Sequence, residues 1–155
     1  MDDAFVRYLR TMYNLQVGES TAEQIKIQIG SASPLDEELT MEVKGHDFIA
    51  GMPRTMTIKS EEIREALNEP VTAIIEAVKQ ALSMTPAELS ADIYDKGIIM
   101  TGGASQLRGF DERIRKETGL SVNVIDDALV CVCKGAARIL EDLDKYRPVL
   151  IASSN

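Results

Sequence analysis

Two short stretches of this chain hold residue types that could do chemistry. In residues 97–110, GIIMTGGASQLRGF, an apolar run stops at Gly102 and Gly103 and passes into a helical pattern. A strand ending in such a turn leaves backbone N–H groups unsatisfied at the positive end of a helix dipole, and the absent side chains let a ligand approach the backbone. That arrangement suits a phosphate or a purine. It equally suits a plain corner between strand and helix, because short α/β loops need φ > 0. There is no GxGxxG and no Lys-Ser/Thr pair, so the dinucleotide fingerprint and the P-loop fail on the residues themselves. In STAEQIK (20–26), Glu23 and Lys26 lie three apart on one helical face, an acceptor and a cation able to grip a ribose and its base. The alternative has Glu23 closing a capping box with Ser20 and Lys26 solvated.

Other reactive side chains have structural readings. Asp126 and Asp127 are adjacent carboxylates placed where a final helix needs an N-cap. Cys131 and Cys133 are two apart in a helical segment, so they face different ways and fit neither a redox pair nor a zinc half-site; buried, inert thiols are expected. His46, the single histidine, falls in VKGHDF, read as a surface turn without a second metal ligand nearby.

Composition narrows the partners. In 155 residues, 25 acidic side chains outnumber 17 basic ones for a net charge of -8, and no Lys/Arg cluster interleaves with aromatics, which excludes nucleic acid as a partner. Early charges in MDDAFVRYLR interrupt any apolar run, and no stretch approaches a membrane span, so neither signal peptide nor span is expected and the location is expected to be cytoplasmic.

The elements that must position these residues divide near Ser60. Ala4, Phe5, Tyr8, Leu9 and Met12 predict a helix over 3–13, and a second helix runs from the Ser20 cap to Gly30. Leu39, Met41 and Val43, then Met56 and Ile58, alternate as a small β-meander with Gly45 and AGMP as turns. Beyond Ser60, read as an N-cap, the stripe from Ile63 through Leu67, Val71 and Ile75 to Leu82 predicts a long helix that Pro70 should kink or split. Thr85, Pro86 and Glu88 open another helix. Strand 97–101, the glycine turn, a helix to Gly119, strand 121–125 and a helix from Asp127 imply a parallel pair that is part of a larger α/β layer.

Four segments, MDDAFVRYLRTMYNLQVGESTAEQIKIQIGSA, RTMTIKSEEIREAL, GIIMTGGASQLRGFDERIRKETG and VCKGAARILE, together resemble the bacterial actin-like rod-shape-determining family, the MreB proteins, in collinear order over nearly the whole chain. The resemblance implies an α/β, actin-like (ribonuclease H-like) ATPase fold, shared with heat-shock chaperone ATPases and sugar kinases, of which only the C-terminal half is expected here. That half would comprise an outer small α+β subdomain, residues 1–60, and part of an inner α/β subdomain, residues 61–155. It also implies nucleotide contacts at Glu23, Gln24, Ile25 and Lys26 and at Gly102, Gly103, Ala104, Ser105 and Gln106, the adenosine side of a site for ATP with Mg²⁺. Ala104 departs from the family's third glycine. The two phosphate-binding hairpins are not found, so this chain is expected not to hydrolyse ATP alone, and Met1 to be an internal methionine. Expected partners are further copies, packed head to tail through outer and inner subdomains, and membrane-linked morphogenetic proteins. A nucleotide-free interaction module and a plasmid- or organelle-positioning filament protein are the alternatives.

Overall fold

The structure is a computed structural model that describes residues 1–150; residues 151–155 of the expected inner unit lie outside the described residues. Helix α1 (Asp2–Tyr13) buries Ala4, Phe5 and Leu9 and ends at Asn14, whose φ of 53° is the left-handed stop that asparagine tolerates. Strand β1 (Leu15–Gln16) and helix α2 (Glu19–Ile29) follow, then the hairpin of β2 (Thr40–Asp47) and β3 (Met52–Lys59). These strands form one antiparallel sheet in the order β1-β2-β3. β1 is too short for its alternation to stand out in sequence. Its passage explains Gly45, which is inside β2 rather than at a turn: a Cβ there would sit 2.6 Å from the Gln16 carbonyl oxygen and 2.8 Å from Leu15 Cγ.

The hairpin turns instead at residues 48–51. Asp47 Oδ1 accepts from the Ile49 and Ala50 N–H groups, both at 2.9 Å, and Oδ2 pairs with Arg54 at 3.2 Å. The capped turn holds Phe48, Ile49 and Met52 out in solvent, Ile49 76% exposed, with the Arg10 guanidinium 5.1 Å from the Phe48 ring centroid.

Helix α3 (Ser60–Ser83) runs unbroken through Pro70. The proline removes a bond to the Ala66 carbonyl, yet Ile63 and Leu67 before it and Val71 and Ile75 after it are all buried at four-residue spacing. Each such burial is worth about 1.5–3 kcal/mol, so the core face holds both parts in line. Ser60 is not the cap. Lys59 takes that position, its N–H donating to the Glu62 carboxylate at 2.8 Å, and the fully buried Ser60 hydroxyl accepts from the Leu39 N–H at 2.8 Å and donates to Glu38. Arg64 pairs with the same carboxylate and donates to the Ser33 carbonyl at 2.9 Å, so the hairpin's root is fastened to α3.

This clamp titrates. The Ser60 hydroxyl, with the Leu35 N–H and Arg64, holds the Glu38 carboxyl below its usual 4.5. A carboxyl lowered in the folded state binds its proton less readily there than in the unfolded chain, so its stabilisation is full above the unfolded value and is lost as pH falls through the folded one. Glu117, lowered by Lys79, acts in the same direction. Denaturant midpoints should therefore stay level from neutrality to about pH 5 and fall below it, with a shallower fall in Glu38→Gln. An identical slope in that variant would remove Glu38 from the account.

After α3 come α4 (Ala87–Lys96), β4 (Ile98–Met100), α5 (Phe110–Thr118), β5 (Val122–Val124), α6 (Cys131–Glu141) and α7 (Leu143–Tyr146). α4 is capped at Pro86 rather than Thr85, whose hydroxyl donates to the Ala81 carbonyl at 2.9 Å and so belongs to the end of α3. β4 and β5 are a parallel pair. One hydrophobic core joins the two sheets, running from Phe5, Leu9 and Ile25 through Ile63 and Leu67 to Ile114 and Val122. Outside it the second sheet and α6 carry bare apolar side chains: Ile99 is 65% exposed, Val132 76% and Leu140 70%.

Candidate binding site

Helix α2 buries Ala22, Ile25 and Ile29, which commits the Ile25 side chain to the core and leaves Glu23 and Gln24 exposed. Lys26 is half-buried. Its ammonium lies 2.7 Å from Asp2 Oδ1 and donates to Asp2 Oδ2 at 3.0 Å. The Ser20–Glu23 capping box is absent because α2 starts two residues earlier than expected, at Glu19 with extended Gly18 as its cap, which places Ser20 inside the first turn.

Opposite stands the glycine turn. Gly102 has φ 83° and ψ 170°, a conformation essentially confined to glycine, and its N–H donates to the Ala128 carbonyl at 2.7 Å. This residue makes the corner. Gly103–Gln106 then form one 3-10 turn rather than the start of an α-helix, with the buried Ser105 hydroxyl donating back to the Gly102 carbonyl at 2.6 Å. Asn14 is the one non-glycine with positive φ among the described residues, so Ala104 occupies its place without strain.

The two pieces share a cavity of about 350 Å³, whose lining includes Lys26, Gly30, Gly103, Ala104, Gln106 and Arg108. Glu23, Gln24, Ile25, Gly102 and Ser105 do not line it. A seam fixes the opposing walls: Arg108 donates to the Ile27 carbonyl at 3.1 Å, its own carbonyl accepts from the Ala32 N–H at 2.7 Å, and the Ser33 hydroxyl donates to the Gly109 carbonyl at 2.8 Å. Arg108 and Asp2 are the site residues that sequence reasoning missed; Arg108 sits two positions beyond the predicted loop, and Asp2 reads as an ordinary first-turn acid. The charges differ in kind. Lys26 is matched by a carboxylate, whereas Arg108 meets only neutral carbonyls in these contacts and keeps its charge.

The remaining reactive residues lie elsewhere. Asp127 does not cap α6, which begins at Cys131 after a turn; its carboxylate pairs with Lys134 and its carbonyl accepts from the Val130 and Cys131 N–H groups. Cys131 is half-buried and Cys133 exposed, because the face of α6 that would bury them is uncovered. His46 lies in β2 opposite Pro53, not in a turn. No group of three or more metal-ligating side chains occurs among the described residues.

A family model described as MreB/Mbl protein matches residues 1–148. The chain belongs to the MreB/Mbl family. It is 45% identical over 145 residues to the cell shape-determining protein MreB of Escherichia coli (strain K12), covering 94% of this chain and 42% of that protein. With the cell shape-determining protein Mbl of Bacillus subtilis (strain 168), identity is 40% over 144 residues, 93% of this chain and 43% of that one. Among solved structures, MreB5 of Spiroplasma citri bound to ADP superposes with a TM-score of 0.89 at 33% identity, over 95% of this chain and 45% of that one. The MamK double helical filament gives 0.72 at 23% identity over 90% of this chain and 43% of that one, a likeness of fold alone. The chain thus spans less than half the length of these MreB/Mbl relatives and carries part of the actin-like α/β fold.

Proposed function

We propose that this chain supplies the nucleoside-facing wall of an ATP site in a filament-forming, actin-like protein that helps set bacterial cell shape. The observation that carries the reading is the shared cavity, in which Lys26 from α2 meets Gly103, Ala104 and Gln106 from the glycine turn. MreB5 of Spiroplasma citri is described bound both to ADP and to AMPPNP, which supports a nucleotide as the occupant. In this reading Gln24 and Glu23 flank the wall, while Ile25, Gly102 and Ser105 shape it from behind. Mg²⁺ would come with the phosphates, whose cradle belongs to other parts of the whole family protein. The division into an outer unit, residues 1–60, and an inner unit from 61 onward belongs to the same reading, as do a cytoplasmic location and membrane-linked morphogenetic partners.

Self-association is supported by two exposed surfaces at different parts of the fold. The hairpin tip shows Phe48, Ile49 and Met52 beside Arg10 and the Arg54–Asp47 pair, and the α4 region shows Met84, Leu89 and Tyr94 among Glu88, Asp95 and the Asp92–Lys96 pair, so the tip carries net positive and α4 net negative charge. Apolar matter ringed by opposite charge on the two suits a head-to-tail contact.

The test is an NMR titration of the 155-residue chain with ADP and AMPPNP. Amide shifts should concentrate at Lys26 and residues 102–108, with a dissociation constant above about 1 mM, an affinity of less than about 4 kcal/mol, since no cradle holds the outer phosphates. Shifts confined to other surfaces would overturn the site. Micromolar binding or steady phosphate release by the pure chain would overturn its incompleteness.

A further inference from the structure

Asp2 lies outside every segment to which the nucleotide reading assigns a contact, yet it determines what Lys26 can do. Its Oδ1 is buried and accepts no hydrogen bond, lying 2.7 Å from the ammonium as an ion-pair contact, and its Oδ2 accepts from the same ammonium at 3.0 Å. An ammonium has three N–H donors; one is spent on Oδ2, and its charge is matched by the carboxylate. The pair is therefore neutral as a unit. Drawing Lys26 off toward a ligand phosphate would leave the buried oxygen with no cation beside it, whereas leaving the pair intact costs nothing and still offers N–H groups to a ligand.

We infer that Asp2 is a positioning residue that converts Lys26 from a phosphate-attracting cation into a charge-compensated hydrogen-bond donor, so that this wall selects the hydroxyl-bearing nucleoside end of its ligand and leaves phosphates unattended. The inference rests on the nucleotide reading of the cavity. It accounts for a lysine and an arginine on one cavity wall: only Arg108 retains net charge, and its guanidinium is tied to the carbonyls of Ile27 and Gly30. Asp2 also stands in the first turn of α1, where any acid has some value against the helix dipole. That structural role predicts a change in stability without a change in ligand preference.

The experiment titrates the 155-residue chain, as wild type, Asp2→Asn and Asp2→Glu, with two probes, adenosine and inorganic pyrophosphate, following the amides of Gly103 and Ala104 by NMR at low salt. In Asp2→Asn the adenosine dissociation constant should rise about tenfold, as for one lost hydrogen bond from a charged donor. Pyrophosphate, barely bound by the wild type, should bind several-fold more tightly, because Lys26 is now uncompensated. Asp2→Glu should restore the wild-type preference. Parallel weakening of both probes, or no change in either, would overturn the role of Asp2 while leaving the cavity reading in place. Absence of any adenosine shift in the wild type would overturn both together. Thermal melts of the three proteins separate a lost fold from a changed preference.

Discussion

Gly97→Ala is expected to lower stability by about 3 kcal/mol or more, a fall in melting temperature of roughly 6–12 °C for a chain of this length. Two causes add. Gly97 has φ 75° and ψ -165°, a region that costs a residue with a side chain about 1–3 kcal/mol, and the new Cβ would sit 2.4 Å from the Ser121 carbonyl oxygen. That oxygen accepts the Ile98 N–H at 2.7 Å, the bond that sets the register of β4 on β5, so backbone must move and the glycine turn beyond β4 moves with it. Gly102→Ala is the control. It shares a positive φ of 83° but has open space where the methyl would go, so it should cost only the strain. Equal losses in the two variants would show that conformation alone, without the clash, explains Gly97.

The second large effect is association. Ile99, Leu129, Val132 and Leu140 are mostly bare on the second sheet, the turn before α6 and α6, and burying four such side chains is worth on the order of 6 kcal/mol before the costs of association. The 155-residue chain should therefore form dimers or larger species as concentration rises, read by light scattering. Val132→Glu with Leu140→Glu should return it to monomer, whereas Ile49→Asp at the hairpin tip should not. The MreB/Mbl relatives are more than twice as long as this chain. A strictly monomeric wild type at high concentration, with β4 and β5 as protected from hydrogen exchange as residues 40–47, would mean that the layer is complete as it stands. The interaction-module reading would then displace the filament one.

Periodic burial made most of the fold legible in sequence. Phe5 and Leu9 on α1, Ile63 through Ile75 on α3, and the alternation of Met41 and Val43 each report which side of an element meets the core. Boundaries were less legible where two residues compete for one role. Ser60 is a good cap by type, but burial beside Leu39 and Glu38 gave its hydroxyl other partners; Ser20 lost its box to Gly18, two residues before it. Gly45 misled for a different reason, since glycine marks a close backbone approach as readily as a turn, and only β1 decides between them. At the cavity, the glycine pair and Lys26 stood out by residue type. Asp2 and Arg108 could not, because each acts through a partner distant in sequence.

The clamp at Ser60 and Glu38 has a mechanical consequence. β2 is eight residues long, so at about 3.3 Å per residue the tip stands roughly 26 Å from its fastening. The far end is held as well, since β1 pairs with His46 and Asp47 and the Phe48 N–H donates to the Asn14 carbonyl at 2.8 Å. α2, whose Lys26 lines the cavity, packs against the same strand. The hairpin is thus a strut held at both ends, and a rotation at its root would be carried into β1 and the end of α1 rather than swinging the tip alone.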